Sequence, residues 1–262
     1  MAKLLIVISG PAGVGKRCVM EGIDLYCTLG LLKCRFSKTV LYNTRKIRQK
    51  ETDGYDYHYC YGDFLSSGSQ AIQNNKRLVA SYFTEENLQQ EDGTLFQSGR
   101  LFMSPVRNRD LQGINLDDIE DGVNFLEIFD PFVSALRGTL ESEGVSVLRL
   151  FISPFTSNEL KARCIEKGVD GDSVIRGEMI SRIRRRRMFG LSNEDDAELE
   201  KRTKGAVGEI STAFSKSDHY HAILVNPCDE AHPSWGTKNT LPTGEAKTLI
   251  DTLADIIRVN LT

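Results

Sequence analysis

No apolar run in this chain is long enough to cross a bilayer, and no basic excess is present to hold a polyanion. The first such run, Leu4 to Ile8, stops at Ser9 and Gly10, too short for a membrane span or for the apolar stretch of a secretion signal. Lys and Arg number 33 against 36 Asp and Glu, for a net charge of −3. Neither nucleic acid nor a membrane surface is therefore an expected partner. The cysteines at 18, 27, 34, 60, 164 and 228 form no C-x-x-C pair, which argues against zinc and fits thiols in a reducing, cytoplasmic setting. Histidine is scarce, and His58, His219, His221 and His232 are not set against Ser or Cys in a nucleophile pattern. Internal repeats and low-complexity tracts are also absent.

What is present is concentrated at the start. Lys3-Leu-Leu-Ile-Val-Ile-Ser-Gly-Pro-Ala-Gly-Val-Gly-Lys16 reads as a buried strand running into a glycine loop and then a helix. Gly10, Gly13 and Gly15 let backbone N–H groups turn inward, the helix presents its positive end, and Lys16 adds a point charge, so the loop suits nucleotide phosphates. The G-x-x-x-x-G-K-[ST] pattern wants a hydroxyl next, and here Arg17 and Cys18 follow. Arg17 is expected to bring its own charge toward the phosphates. A thiol is a poor magnesium ligand. A helix N-terminus lowers a thiol pKa, so Cys18 is either a nucleophile or, the favoured reading, a packing residue.

At 262 residues and 40% hydrophobic composition the chain can form one domain with insertions or two small ones. Apolar runs predict strands at Val123–Phe129, Val145–Ile152 and Ala222–Val225, with a weaker one at Lys33–Phe36. Apolar spacing of three and four predicts helices at Phe132–Glu143, Ser157–Lys167, Asp195–Lys216 and Gly244–Val259. Alternating strands and helices imply an α/β fold with a parallel sheet covered on both faces. The stretch from Phe36 to Pro105 breaks this rhythm and reads as a small β-containing unit with a hairpin at Thr94–Met103. A charged run from Cys164 to Arg202 breaks it again, and Pro227 to Pro242, with the single tryptophan Trp235, reads as a surface excursion.

Beyond the loop comes Asn43-Thr-Arg-Lys-Ile-Arg-Gln-Lys-Glu-Thr-Asp-Gly-Tyr-Asp-Tyr57. Two arginines three apart can serve one phosphate with forked hydrogen bonds. Together with the opening loop this segment resembles the guanylate kinase family, whose T-R-x-x-R-x-x-E-x-x-G-x-D-Y is matched by Thr44, Arg45, Arg48, Glu51, Gly54, Asp56 and Tyr57. The resemblance continues through Phe151–Pro154, Glu159–Arg163, Arg202–Glu209 and Asp218–Asn226. It implies a P-loop three-layer core (1–35, 109–163 and 203–262), an inserted monophosphate-binding unit (36–108) and an expanded helical lid (164–202). It further implies ATP and Mg²⁺ as cofactors, GMP or dGMP as acceptor, and no nucleic-acid or membrane partner.

By the same resemblance Arg45, Arg48, Tyr57 and Asp130 bind the acceptor, while Gly10, Gly13, Gly15, Lys16, Arg17, Cys18 and Asn226 bind ATP. Lys16, Arg45, Arg163 and Arg202 serve catalysis, and Glu127 is the metal candidate. The chain departs from the family where a phosphate-contacting serine falls on Leu41 and the guanine-reading glutamate on Val79. These losses support an alternative, a protein-binding module without turnover; the intact loop and both arginines favour the enzyme. The run Arg182-Ile-Arg-Arg-Arg-Arg-Met188 has three readings: lid arginines, a nucleic-acid patch, or a solvated helix face. The acids at Glu194, Asp195, Asp196, Glu198 and Glu200 favour the last.

Overall fold

The computed structural model describes residues 3–49, 51–106, 109–128, 130–191, 195–237 and 239–261. In chain order, β1 (Lys3–Ser9) leads through the glycine loop to α1 (Lys16–Thr28), followed by β2 (Phe36–Lys38), β3 (Tyr42–Asn43) and β4 (His58–Tyr59). Next come α2 (Gln70–Ser81), α3 (Glu85–Leu88), β5 (Phe96–Ser98), β6 (Leu101–Val106) and β7 (Asp110–Asn115). Then β8 (Gly122–Glu127), α4 (Asp130–Ser142), β9 (Val145–Ser153), α5 (Ser157–Lys167), α6 (Gly171–Met188), α7 (Asp196–Ser215), β10 (Ala222–Val225) and α8 (Gly244–Leu261) complete the chain. No helix among the described residues is long and apolar enough to cross a membrane.

One sheet is parallel with strand order β10-β9-β1-β8-β2, and β10 pairs with β9 so that Ala222 faces Leu150 and Val225 faces Ser153. The strand, glycine loop and helix at its start make this the P-loop α/β fold that the sequence implies. The chain divides into two compact units, Met1–Val7 with Ser37–Val147 and Ile8–Phe36 with Leu148–Thr262.

The first unit holds a second sheet, ordered β4-β3-β7-β6-β5. Its predicted hairpin forms, with Ser98 opposite Leu101 and Gly99 in the left-handed region at φ 58°, where a glycine carries no steric penalty. A core of Leu5, Val7, Leu41, Ile114, Phe132 and Leu136 lies in this unit. Another joins Tyr42, Cys60, Val79, Leu101, Met103 and Leu111. Both departures from the family are thus core residues, Val79 at 0% exposure and Leu41 at 2%.

Helix α2 escapes the sequence reading because Lys76 stands in the middle of its buried face. The ammonium of Lys76 is matched by Asp53 at 2.7 and 2.9 Å and by the Phe64 carbonyl at 2.9 Å, as a buried charge requires.

In the second unit α6 and α7 pack with β9 through Phe151, Phe155, Val174, Met179, Ala206 and Ile210. Helix α6 was legible only as a charged run. Helix α7 begins as predicted, with Asp195 as its N-cap, accepting a hydrogen bond from the Glu198 N–H at 2.8 Å. The expected strand at 33–36 starts instead at Phe36, because the turn after α1 continues through Cys34, whose N–H reaches the Leu32 carbonyl at 2.9 Å. The predicted strand end at Phe129 falls outside the described residues, and β8 closes at Glu127.

The packing around Val79 generates a prediction. A Cβ on Gly113 would already lie 3.4 Å from Val79 Cγ2, so a longer, ionisable side chain has neither room nor a partner. Val79→Glu is expected to destabilise the protein by about 3 kcal/mol or more. A shift of the urea midpoint to lower concentration at unchanged slope is the expected result.

Candidate functional site

The glycine loop, in the second unit, is built by close approach. Gly10, Gly13 and Gly15 take φ of 141°, 83° and 84°. A Cβ on Gly10 would sit 2.5 Å from the Ile152 carbonyl oxygen, and one on Gly15 2.5 Å from Asn226 Nδ2. Both separations are prohibitive, so only glycine fits. Helix α1 starts from Gly15 with no side chain capping it, which leaves its first N–H groups suited to an anion.

Lys16 folds back over the loop, donating to the carbonyls of Gly10 at 2.7 Å and Pro11 at 3.0 Å. Arg17 is exposed and donates through Nε to Glu21 Oε1 at 2.8 Å, along α1 and not across the loop. Burial pushes the Cys18 thiol up to about 12, with Glu230 and Glu21 adding to the effect against Arg17 and Arg186. Burial thus outweighs the helix end, and Cys18 remains a protonated thiol, unsuited to nucleophilic attack at neutral pH.

Asn226 is fully buried behind this loop. Its Nδ2 donates to the Val14 carbonyl at 2.7 Å and its Oδ1 accepts from the Cys228 N–H at 3.1 Å. Both polar atoms therefore serve backbone, and Asn226 shapes the loop. An open hollow of about 350 Å³ lies beside the following segment, lined by Arg185, Phe189, Pro227, Asp229 and His232 among others.

The arginine run is not a solvated helix face. Arg182 is 1% exposed and donates to Glu178 at 2.8 Å, to the Pro227 carbonyl at 3.0 Å and to the Cys228 carbonyl at 3.3 Å. Arg185 pairs with Asp229, and Arg186 with Glu230 at 2.9 Å. Arg187 meets Asp196 at 2.9 Å, one of the acids expected to offset the run; Glu194 lies outside the described residues. The signal was in the spacing, since positions 182, 185 and 186 share one helix face. Their partners in the 227–230 segment, remote in sequence, carry no such signal.

Arg163 and Arg202, the lid candidates, are both paired. Arg163 reaches Glu178 at 3.2 Å and lies 5.3 Å from the Phe155 ring centroid, while Arg202 donates to Glu198 at 2.8 Å. Burial raises the Glu178 carboxyl pKa, but Arg182 and then Arg163 outweigh it, so the group lies below its usual range.

The acceptor candidates, in the first unit, gather around one carboxylate. Glu51 accepts from Arg45 Nη1 at 2.7 Å and Nη2 at 2.6 Å, from the Arg48 N–H at 2.7 Å and from the Tyr59 hydroxyl at 2.6 Å. Burial opposes ionisation of Glu51, yet these bonds prevail and hold its pKa at about 2. The Arg45 guanidinium lies 5.0 Å from the Tyr57 ring centroid and 5.7 Å from that of Tyr59. With Nη1 also donating to the Lys46 carbonyl at 2.9 Å, Arg45 is held in a fixed orientation.

Arg48 is exposed at the surface. Burial pushes the Tyr57 phenol up to about 12, with Glu127 the next contributor, so the metal candidate Glu127 lies near the acceptor tyrosine. Asp130 opens α4, but its side chain is outside those described.

No family model matches the chain. A guanylate kinase of Bacillus subtilis is 29% identical over 178 residues, 67% of this chain and 71% of the relative. One of Lactobacillus johnsonii is 26% identical over 209 residues, 80% of this chain and 86% of the relative. Among solved structures, guanylate kinase from Anaplasma phagocytophilum covers 99% of this chain and 86% of its own, with 15% identity and a TM-score of 0.46.

The Glu51 hub carries a pH signature. Its pKa is lowered from 4.5 to about 2, so its stabilisation is fully present above pH 4.5 and is lost as pH falls toward 2. Glu51→Gln is expected to cost about 2 kcal/mol at pH 7, a difference from wild type that narrows between pH 4.5 and 2. Urea titrations of both proteins across that range measure it; a gap independent of pH would contradict the assignment.

Proposed function

We propose that this chain, which is 26–29% identical to the guanylate kinases above, is an ATP-dependent nucleoside-monophosphate kinase of that family with GMP or dGMP as acceptor. The carrying observation is the glycine loop with Lys16, whose positive-φ glycines and uncapped helix end suit a donor's phosphates. The relatives' names supply the reaction class. Within it, the donor base is assigned to the hollow beside Pro227 and His232, and the acceptor phosphate to Arg45, Arg48 and Tyr57. Transfer of a phosphoryl group needs in-line positioning and neutralised charge more than covalent help. Lys16 would leave the carbonyls of Gly10 and Pro11 for the phosphates, and Arg45 would bring an already oriented guanidinium.

Magnesium is implied by the family. The protein's own donors do not make a site for it: no group of three metal-ligating side chains occurs among the described residues, and Cys18 offers a protonated thiol where a hydroxyl is wanted. The ion would arrive on the nucleotide's phosphates. The expanded lid (164–202) and the inserted unit (36–108) belong to this proposal as well.

One observation favours the binding-module alternative. The positions of the family's serine and guanine-reading glutamate, Leu41 and Val79, are apolar core, and a pocket without matched polar groups discriminates poorly. Retention of Lys16 and the loop favours turnover.

Coupled ADP release with GMP, dGMP, AMP, UMP and CMP tests the reading, with GMP or dGMP expected to be the best acceptors. Lys16→Met is expected to lower kcat by about 10²–10³ with little change in melting temperature. ATP binding without ADP release for any monophosphate would leave the binding module. Arg45→Lys keeps the charge and loses the fork. Its expected signature is a raised acceptor KM or a lowered kcat at unchanged ATP affinity, and equal loss for both substrates would remove Arg45 from the acceptor site.

A further inference from the structure

The arginine run of α6 is what the proposed reaction leaves unused, and its members are not equivalent. Arg184 is exposed, while Arg182 and Arg185 are tied to the Pro227–Asp229 segment. Arg186 differs from both. Its side chain is 17% exposed and its Nε lies 2.9 Å from Glu230 Oε2, yet that contact lacks hydrogen-bond geometry and the buried Nε–H has no acceptor among the described residues. Buried donors are rarely left so, because the desolvation cost is not recovered.

Two observations put this group at the glycine loop. A Cβ on Gly13 would come within 3.8 Å of Arg186 Cδ and 3.4 Å of Ile183 Cγ1, so the face of α6 that carries Arg186 lies against the loop's central glycine. Arg186 and Glu230 also both act on Cys18, in the first turn of α1, the arginine lowering its pKa and the glutamate raising it. Those loop N–H groups and that helix end are where phosphate oxygens bind. The other cations nearby are engaged elsewhere: Lys16 with loop carbonyls, Arg17 with Glu21, Arg163 with Glu178 and Arg202 with Glu198.

We propose that Arg186 is a phosphate-contacting residue of the nucleotide site, with Glu230 as its resting counter-ion that an incoming polyphosphate displaces. A polyphosphate carries more charge than one carboxylate and accepts forked donors, so it competes successfully for the guanidinium. The inference rests on the kinase reading only for the identity of the ligand, a nucleoside triphosphate.

The test is calorimetric titration of the full chain with inorganic tripolyphosphate and, separately, with ATP, so that the phosphate contribution is read without turnover. Arg186→Met is expected to weaken both ligands about tenfold or more. Glu230→Gln should tighten tripolyphosphate binding several-fold, and Arg184→Met should stay within twofold of wild type. Melting curves check that each variant folds; should Arg186→Met not fold, the tightening in Glu230→Gln and a partial loss in Arg186→Lys carry the test. Tripolyphosphate affinity within twofold of wild type in folded Arg186→Met overturns the proposal. So does weakening by Glu230→Gln as large as that by Arg186→Met, the behaviour of a structural latch, or a wild type that binds neither ligand. Arg186-dependent tripolyphosphate binding by a wild type that releases no ADP would sink the kinase reading and leave the role of Arg186 standing.

Discussion

The glycine loop depends first on how little room surrounds it. Its backbone runs so close to the Ile152 carbonyl and to Asn226 that a single added carbon would sit 2.5 Å from either. That closeness lets Asn226 reach the Val14 carbonyl while its other polar atom takes the Cys228 N–H. The loop's curvature is therefore imposed from the ends of β9 and β10, and the glycines at 10 and 15 are required by contact as well as by positive φ. With the outer side of the loop fixed, its inward N–H groups and the uncapped start of α1 hold their direction before any ligand arrives, the preorganisation that electrostatic stabilisation needs.

Charge is arranged on the same principle. A chain of net charge −3 does not present a basic surface; it keeps individual guanidinium groups in place with individual carboxylates. Glu51 holds Arg45, Glu178 joins Arg163 and Arg182, and Glu230 faces Arg186. For Glu51 and Glu178, burial disfavours the ionised carboxylate and the arginine contacts overcome it. Such a pair contributes little net stability against an apolar replacement, but it fixes a fork's orientation, and a forked donor is useful to a phosphate only when oriented. Arg182 has exchanged mobility for structure, its guanidinium enclosed by Glu178 and two backbone carbonyls. Arg186 keeps an N–H that is unmatched among the described residues.

Much of the fold was legible because it rests on local periodicity. The strand and loop from Lys3 to Lys16, the stripe of α8 through Leu249, Leu253 and Ile257, the start of α7 near Asp195 and the hairpin at Ser98 and Leu101 all follow from neighbours in sequence. Helices α2 and α6 were not legible for a single reason. Each carries a cation on its buried face, Lys76 and Arg182, which erases the apolar stripe, and each cation is held in part by groups remote in sequence, Asp53 for Lys76 and the Pro227 and Cys228 carbonyls for Arg182. The same holds for the site. The motif at 44–57 named Arg45, Glu51 and Tyr57 together, but that Glu51 is the hub taking four hydrogen bonds is a fact of the folded turn. Pairing of Arg186 with Glu230 could be suspected from helix spacing on one side only.

The unit that holds Arg45 and Glu51 separates two kinds of recognition on the proposed reading. A phosphate is recognised by charge and forked donors, and Arg45 with its tyrosines supplies them whichever base is attached. A base is recognised along its edge, by matched polar groups whose partners would otherwise stay buried and unpaired. Positions 41 and 79 have joined two apolar clusters, so neither a phosphate-contacting hydroxyl at 41 nor an edge-reading carboxylate at 79 is present. The polar groups buried nearby are tied together, Asn75 donating to the Tyr42 hydroxyl at 2.9 Å and burial pushing Asp118 up to about 6. On the proposed kinase reading, recognition of the phosphate and recognition of the base would rest on separate residues, Arg45 and Tyr57 for the first and the neighbourhood of Val79 for the second.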